Sequence, residues 1–391
     1  MHLLGFGALP AGARWERPVA ERIADLTRRP RRVAFLYENP DTSTFRYRCH
    51  NPIGALNRET DDIAAAWFRE AEIPALVARG TRLDALVICR VRYTARLADL
   101  AGRVRRAGGR VVFDIDDLVF VPDLVPLVVH TLAETADSDA QWDHWFAHAG
   151  RLAASHALAD RATTTTAALA TELAAAHPVP VAILPNRLAI EEEAISRRLL
   201  ATKAASGARR DGRIHLGYFS GTPSHERDFA IAAPALAAAL DADPRLVLRV
   251  AGFLRDLGPL APHAARIERL ALMEPGTLQV RTAEVEIALA PLQQNRFTAC
   301  KSALKWFEPA AVGTVVVASP GSTVAAEIED GVTGFVAHAD DWADALRRAI
   351  ATLDGDGAAY RAIAGAAADA AYARYGATGT ADALRSAYLG S

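Results

Sequence analysis

Short runs of β-branched and aliphatic residues alternate along the chain with longer stretches in which Ala, Leu and Arg recur at helical spacing. In the first half, RVAFLYEN (32–39), ALVICRV (85–91), RVVFDID (110–116), RATTTT (161–166) and VAILPN (181–186) predict strands, with helices filling the gaps. A polar stretch (191–213), helical at first and then rich in Gly, Ser and Arg, predicts a connection between domains. A second set follows: IHLGYFSG (214–221), LVLRVAG (246–252), EIALAPL (286–292), VVVASP (315–320) and GFVAHAD (334–340). Strands alternating with helices are the mark of a doubly wound parallel sheet, here present twice. The Ala-rich tail from about 357 to 388 reads as two helices with no strand between them, able to cross back to the first domain.

One stretch resists this pattern. LQVRTAEVEIALAPL (278–292) offers two strand-like pieces about three residues apart, whereas parallel neighbours need a crossover of a dozen or more. Either one piece is not a strand or a βα unit has been lost.

The 391 residues suffice for two domains with full cores, and 51% hydrophobic residues suits a compact chain. Lys plus Arg (44) nearly balances Asp plus Glu (46), so no net field draws in nucleic acid or a membrane surface. Cys49, Cys89 and Cys300 are far apart and odd in number, which argues against a disulfide framework and fits a reducing cytoplasm. No run approaches the roughly 18–20 apolar residues of a membrane span. LVFVPDLVPLVV (118–129), broken by Asp123 and two prolines, predicts a half-buried loop and at most a peripheral membrane contact.

The chemistry concentrates after the predicted strands of the second set, where ligands of such sheets bind. Lys301, Lys305 and Glu308 are spaced four and three apart, which places them on one stripe if a helix begins near Thr298–Ser302. A lysine in a first helical turn opposes the macrodipole by roughly 0.3–1 kcal/mol, a conflict that an anion removes. After IHLGYFSG come Ser220, Gly221 and Thr222 at a strand-to-helix turn, with His225 and Arg227 close behind; amides and hydroxyls there suit phosphate.

The block CKSALKWFEPAAVGTVVVASPGSTVAAEIEDGVTGFVA (300–337) resembles the nucleotide-sugar-binding half of retaining glycosyltransferases of family 4, and LPNRL (184–188) is similar to their domain-linking segment. The likeness covers nearly the whole chain and is most specific in 300–337. It implies an α/β GT-B fold: two Rossmann-like domains facing across a cleft, with a C-terminal helix crossing back to the first. Residues 1–195 then form an acceptor domain, joined by a helix at about 370–391, and residues 210–365 a nucleotide-sugar donor domain.

Position by position, Glu308 matches the glutamate that holds the ribose hydroxyls in that family, and Cys300 stands where its first motif glutamate contacts the donor sugar. Ser220 and His225 replace the family's phosphate-binding Arg and Lys, and Lys301, Lys305 and Arg227 are expected to substitute for them. The supposed loss of a βα unit at 278–292 is a third departure. Asp116 takes the place of a histidine near the reacting carbon, with Asp117 beside it; strand-end capping is the alternative for these carboxylates. Arg46 and Arg48, on one face of an extended segment, are candidates for phosphate or acceptor contacts, or else brace the domain.

The resemblance implies transfer of a hexose-type sugar from a nucleoside diphosphate sugar to an acceptor hydroxyl, with retention, without metal and without a cofactor beyond the donor. The acceptor is a saccharide, a lipid-linked glycan or a small molecule. A nucleotide-sugar epimerase or hydrolase of the same fold remains open, as does a catalytically degenerate partner. DID (114–116) also matches the DxD signature of metal-dependent, single-sheet glycosyltransferases, against which the second strand set argues. His144 and His148 have metal spacing on a helix, but neighbouring Trp142, Trp145 and Phe146 favour packing.

Overall fold

The computed structural model describes residues 15–40, 43–132, 134, 136–207, 211–221, 225–338 and 341–390. The chain forms two compact units. One comprises the described residues of Gly12–Val129, Thr135–Ala189 and Ala377–Ser391; the other those of Ile190–Gly376 with His130–Glu134.

The first unit is built on a six-stranded sheet: β1 (Arg31–Leu36), β2 (Ile63–Phe68), β3 (Ala85–Cys89), β4 (Arg110–Asp114), β5 (Arg161–Thr164) and β6 (Val181–Ile183). Every pairing is parallel, in the order β2-β1-β3-β4-β5-β6. β2 lies among the residues expected to be helical, because IAAAWF carries no β-branched residue after Ile63. Burial of all six of its positions decides for the strand over alanine's helix propensity.

The C-terminal helix Ala381–Leu389 belongs to this unit. Leu384, Ala387 and Tyr388 enter the core beside β1 and β3, with the Tyr388 ring edge-on to Phe35 at 5.3 Å. Its N-terminus is capped by the Glu59 carboxylate, which accepts from the amides of Thr380 (3.1 Å) and Ala381 (3.2 Å), a match of negative charge to helix dipole.

The second unit repeats the architecture with β7 (Ile214–Ser220), β8 (Leu246–Gly252), β9 (Ile267–Leu270), β10 (Ile287–Ala290), β11 (Val315–Ala318) and β12 (Phe335–Val336). The order is β12-β11-β10-β7-β8-β9, again all parallel. The awkward stretch at 278–292 resolves here: Pro275–Ala283 is a helix and only Ile287–Ala290 is a strand. β9, also absent from the predicted strands, supplies the missing partner, so no βα unit has been lost.

Three further expectations are corrected. Arg46–His50 is a π-helix, not extended. The helix expected from Thr298–Ser302 starts instead at Leu304, because Asn295 and Thr298 close a capping box on the separate short helix Arg296–Ala299 and the chain turns between them. The predicted loop at 118–129 contains the short turn Pro122–Leu124 and the start of the helix Val125–Thr131.

In each sheet the strand order reverses direction once, between β1 and β3 and between β7 and β10. Those switch points open a crevice at the carboxyl ends of the strands.

Candidate functional site

At the second switch point, Asp228 of the helix Glu226–Ala242 meets Gln293 of the loop after β10. The Asp228 carboxylate accepts from the Gln293 amide and Nε2 (both 3.0 Å) through Oδ1, and Oδ2 lies 2.8 Å from Nδ1 of His225. Burial opposes ionisation, but these hydrogen bonds hold the carboxyl below its ordinary range. Gln293 Nε2 also donates to the Thr131 carbonyl at 3.0 Å.

Tyr218 of β7 passes beneath this group, its hydroxyl donating to the His225 carbonyl at 2.9 Å. The Lys305 ammonium is 5.3 Å from the centre of the Tyr218 ring and is buried without a hydrogen-bond partner among the described residues. Its helix, Leu304–Ala311, is anchored by the buried Trp306, whose Nε1 donates to the Thr333 carbonyl at 3.1 Å, and by Phe307 stacked on Tyr375. Burial lowers the Lys305 pKa to about 8, with nearby Lys301 adding to the effect and Asp228 opposing it. An ammonium with three donors and no acceptor is a costly thing to bury alone, and an arriving anion removes that cost. Lys301, in the link before the helix, rests its ammonium 4.5 Å from the Phe297 ring.

The end of β7 is pinned from the neighbouring strand. Gly252, with φ +91°, lies so close to the Ser220 carbonyl that a Cβ there would stand 1.9 Å from its oxygen. Only glycine permits both the backbone and the approach.

At the first switch point, the end of β3 turns sharply at Arg90, the one non-glycine residue with positive φ (53°) among the described residues. The turn aims the guanidinium between two carboxylates, 3.2 Å from Asp116 Oδ1 and 3.2 Å from Asp117 Oδ2. Thr44 donates to Asp116 at 2.8 Å. Burial raises the Asp116 pKa, Arg90 offsets it, and the like charge of Asp117 adds to it. Alongside, Glu38 binds Arg92 through two contacts of 3.0 Å. His148 is pushed down to about 4 by burial and by the charges of Arg90 and Arg92.

The structure thus gathers His225, Lys301 and Lys305 into one group and Asp116 and Asp117 into another. Ser220 is buried and Gly221 exposed at the end of β7; Thr222 lies outside the described residues. Glu308 is half-buried on the helix of Lys305, one turn along, while Cys300 is buried at the end of Arg296–Ala299. Arg227 points elsewhere, donating to the carbonyl of His130 at 2.8 Å and meeting its Nδ1 at 2.7 Å.

Arg48 is a brace. It is buried and donates to both oxygens of Asp114 (2.9 and 2.5 Å), to the Leu184 carbonyl (2.6 Å) and to Asn186 (3.2 Å), so four of its five N–H donors are engaged within the core. Arg46 lies over the ring of Tyr47 at 4.3 Å. Two site residues escaped the sequence reading. Arg90 was hidden inside a predicted strand, where a charged residue closing an apolar run was the available signal. Asp228 was hidden in a helix, three residues after His225. Among the described residues no three His, Cys, Asp or Glu side chains gather as a metal set, and no helix is long and apolar enough to cross a membrane.

Comparison with solved structures finds the same architecture in HepE of Anabaena in complex with UDP, at 16% identity and a TM-score of 0.57, covering 90% of this chain and 98% of that one. The fold is GT-B. Sucrose-phosphate synthase from Thermosynechococcus elongatus aligns at 14% identity and a TM-score of 0.56 over 89% of this chain and 95% of the other. The α,α-trehalose 6-phosphate synthase of Burkholderia multivorans aligns at 16% identity and a TM-score of 0.52 over 81% and 73%. No family model and no curated protein matches the chain. At these identities the likeness carries the GT-B fold, and the chemistry has to be argued from the two groups above.

Proposed function

We propose that this GT-B chain is a glycosyltransferase that moves a hexose-type sugar from a nucleoside diphosphate sugar to an acceptor hydroxyl with retention at the anomeric carbon. The observation that carries the reading is the buried ammonium of Lys305, without a hydrogen-bond partner among the described residues, in the electrostatic neighbourhood of Lys301 and His225 at the second switch point. HepE, similar in fold, has been solved with UDP and with UDP-glucose, which favours a diphosphate as the missing anion.

In this reading the bond from the anomeric carbon to the diphosphate lengthens toward an oxocarbenium-like state. Lys305, Lys301 and the backbone amides after β7 stabilise the charge growing on the leaving phosphate, each donor contributing on the order of 3 kcal/mol. Two ammonium groups do here what a divalent cation does elsewhere, so transfer proceeds without metal. Glu308 accepts from the ribose hydroxyls, since a carboxylate can take two hydrogen bonds from a vicinal diol. Asp116 and Asp117, held apart by Arg90, orient the acceptor hydroxyl, and the departing phosphate oxygen takes its proton. Family 4 membership follows the Glu308 block; Cys300 cannot accept from the donor sugar as a glutamate would.

The test is calorimetry of UDP, GDP, TDP and ADP with and without Mn²⁺, followed by NMR of the product's anomeric configuration. Metal-independent binding of one nucleotide, weakened by Lys305→Ala, supports the reading. Absence of binding by all four overturns it.

A further inference from the structure

We propose that Asp228 is a positioning residue that fixes the His225 ring so that Nε2 donates to the bound diphosphate, and that His225 takes up a proton when the diphosphate binds. The inference rests on the reading of the second switch point as a diphosphate site.

The geometry begins with Asp228, 2% exposed and held by three contacts: two from Gln293 at 3.0 Å and His225 Nδ1 at 2.8 Å. An ionised carboxylate only accepts, so the proton on Nδ1 is fixed and the neutral ring carries a lone pair on Nε2. That nitrogen makes no hydrogen bond among the described residues. A lone pair facing a phosphate oxygen is repulsive; the imidazolium, with N–H on both nitrogens, is attractive. A diphosphate contact at Nε2 therefore requires a proton there.

The charges around His225 set when that proton arrives. From its own helix come Asp228 and Glu226, the latter engaged by the Arg255 amide (2.8 Å) and Nε (3.1 Å), and Arg227, turned to His130. Facing it are Lys305 on the helix Leu304–Ala311 and Lys301 in the link before it. Burial and the two ammonium groups, Lys305 foremost, lower the ring's pKa in the free protein even though Asp228 opposes them. A diphosphate reverses the balance: its charge cancels the ammonium field, and the Asp228 carboxylate then favours the imidazolium. Asp228 thus holds His225 ready to charge only when the ligand is present.

Calorimetry of the full chain at pH 7 in two buffers of different ionisation enthalpy counts the protons taken up with UDP, GDP, TDP or ADP, comparing the native chain with His225→Gln and Asp228→Asn. Subtracting the His225→Gln value cancels titration of the nucleotide itself. The native chain is expected to take up roughly 0.5–1 proton more than His225→Gln, and its affinity to fall as pH rises from 6 to 8, a slope that His225→Gln flattens. Asp228→Asn, if folded, loses most of that excess uptake with an approximately tenfold loss in affinity. Nucleotide binding with equal proton counts in the native chain and His225→Gln overturns this inference while leaving the diphosphate site standing. No binding of any nucleotide to the native chain overturns the site and the inference together.

Discussion

The carboxyl ends of the two sheets share a topology and differ in how their charges are settled. At the first, Arg90 is shared by Asp116 and Asp117, and behind it Arg48 and Asp114 form a buried pair to which Thr163 donates at 2.6 Å. At the second, Lys305 and His225 lie near Asp228, whose hydrogen bonds are taken by His225 and Gln293, and the Lys305 ammonium has no hydrogen-bond partner among the described residues. At the first, every carboxylate has a guanidinium within reach, although Asp116 and Asp117 share one, and the proposed reading uses that fixed pair to orient a hydroxyl. Surplus buried positive charge yields a site that an anion completes.

The largest effect expected from breaking this comparison is on stability at the first sheet. Arg48→Ala leaves Asp114 buried and uncompensated, and urea unfolding should show a loss of about 3–5 kcal/mol. Replacing both residues by apolar ones should cost clearly less than the sum of the single changes. If Arg48→Ala changes stability little, the arginine is a ligand contact after all.

Next is Arg90→Met, which frees Asp116 and Asp117 from their shared partner. Turnover should fall about 100-fold through misplacement of the acceptor, while nucleotide affinity stays within about twofold of native. Loss of nucleotide affinity would remove the division of labour between the two ends. Lys305→Ala should do the opposite, weakening nucleotide binding by roughly 10- to 100-fold in calorimetry. Its thermal stability should hold or rise, because a lone buried ammonium is removed.

A subtler contrast comes from Lys203, buried below the second sheet, where its ammonium donates to the Val285 carbonyl (2.5 Å) and Thr314 Oγ1 (2.7 Å). Burial lowers its pKa to about 7 from the ordinary 10.5. Between those values the unfolded chain binds more protons than the folded one, so stability rises with pH; below about 7 the cost of the buried charge is present in full. Lys203→Met should therefore be more favourable at pH 6 than at pH 9 by at least ~1 kcal/mol, read from urea curves at both. A constant difference would show that Lys203 stays protonated in the fold up to pH 9, its pKa little changed by burial. The smallest effect is expected from Arg227→Ala. With the guanidinium held by His130, nucleotide affinity should change by less than about threefold.

Much of the fold was legible because parallel strands buried on both faces must be continuous apolar runs, and RVVFD, IHLGYFS and VVVA can be little else. IAAAWF and IERL were not, since an alanine-rich or half-polar segment becomes a strand only when neighbouring strands bury it. The candidate site was legible where a residue follows such a run directly: Ser220, Gly221, Asp116 and Asp117 are all found at strand ends. Arg48 stayed open between a ligand contact and a brace because nothing local reveals Asp114, 66 positions away, as its partner.

By itself, the sequence determined two parallel α/β sheets, the helical tail and a concentration of cations near residue 305, because periodicity and local charge are properties of neighbouring residues. Tertiary structure alone decided which charges meet. Whether an arginine braces a core or a lysine is left without a partner depends on residues distant in sequence being buried together, and desolvation then sets the chemistry of each group.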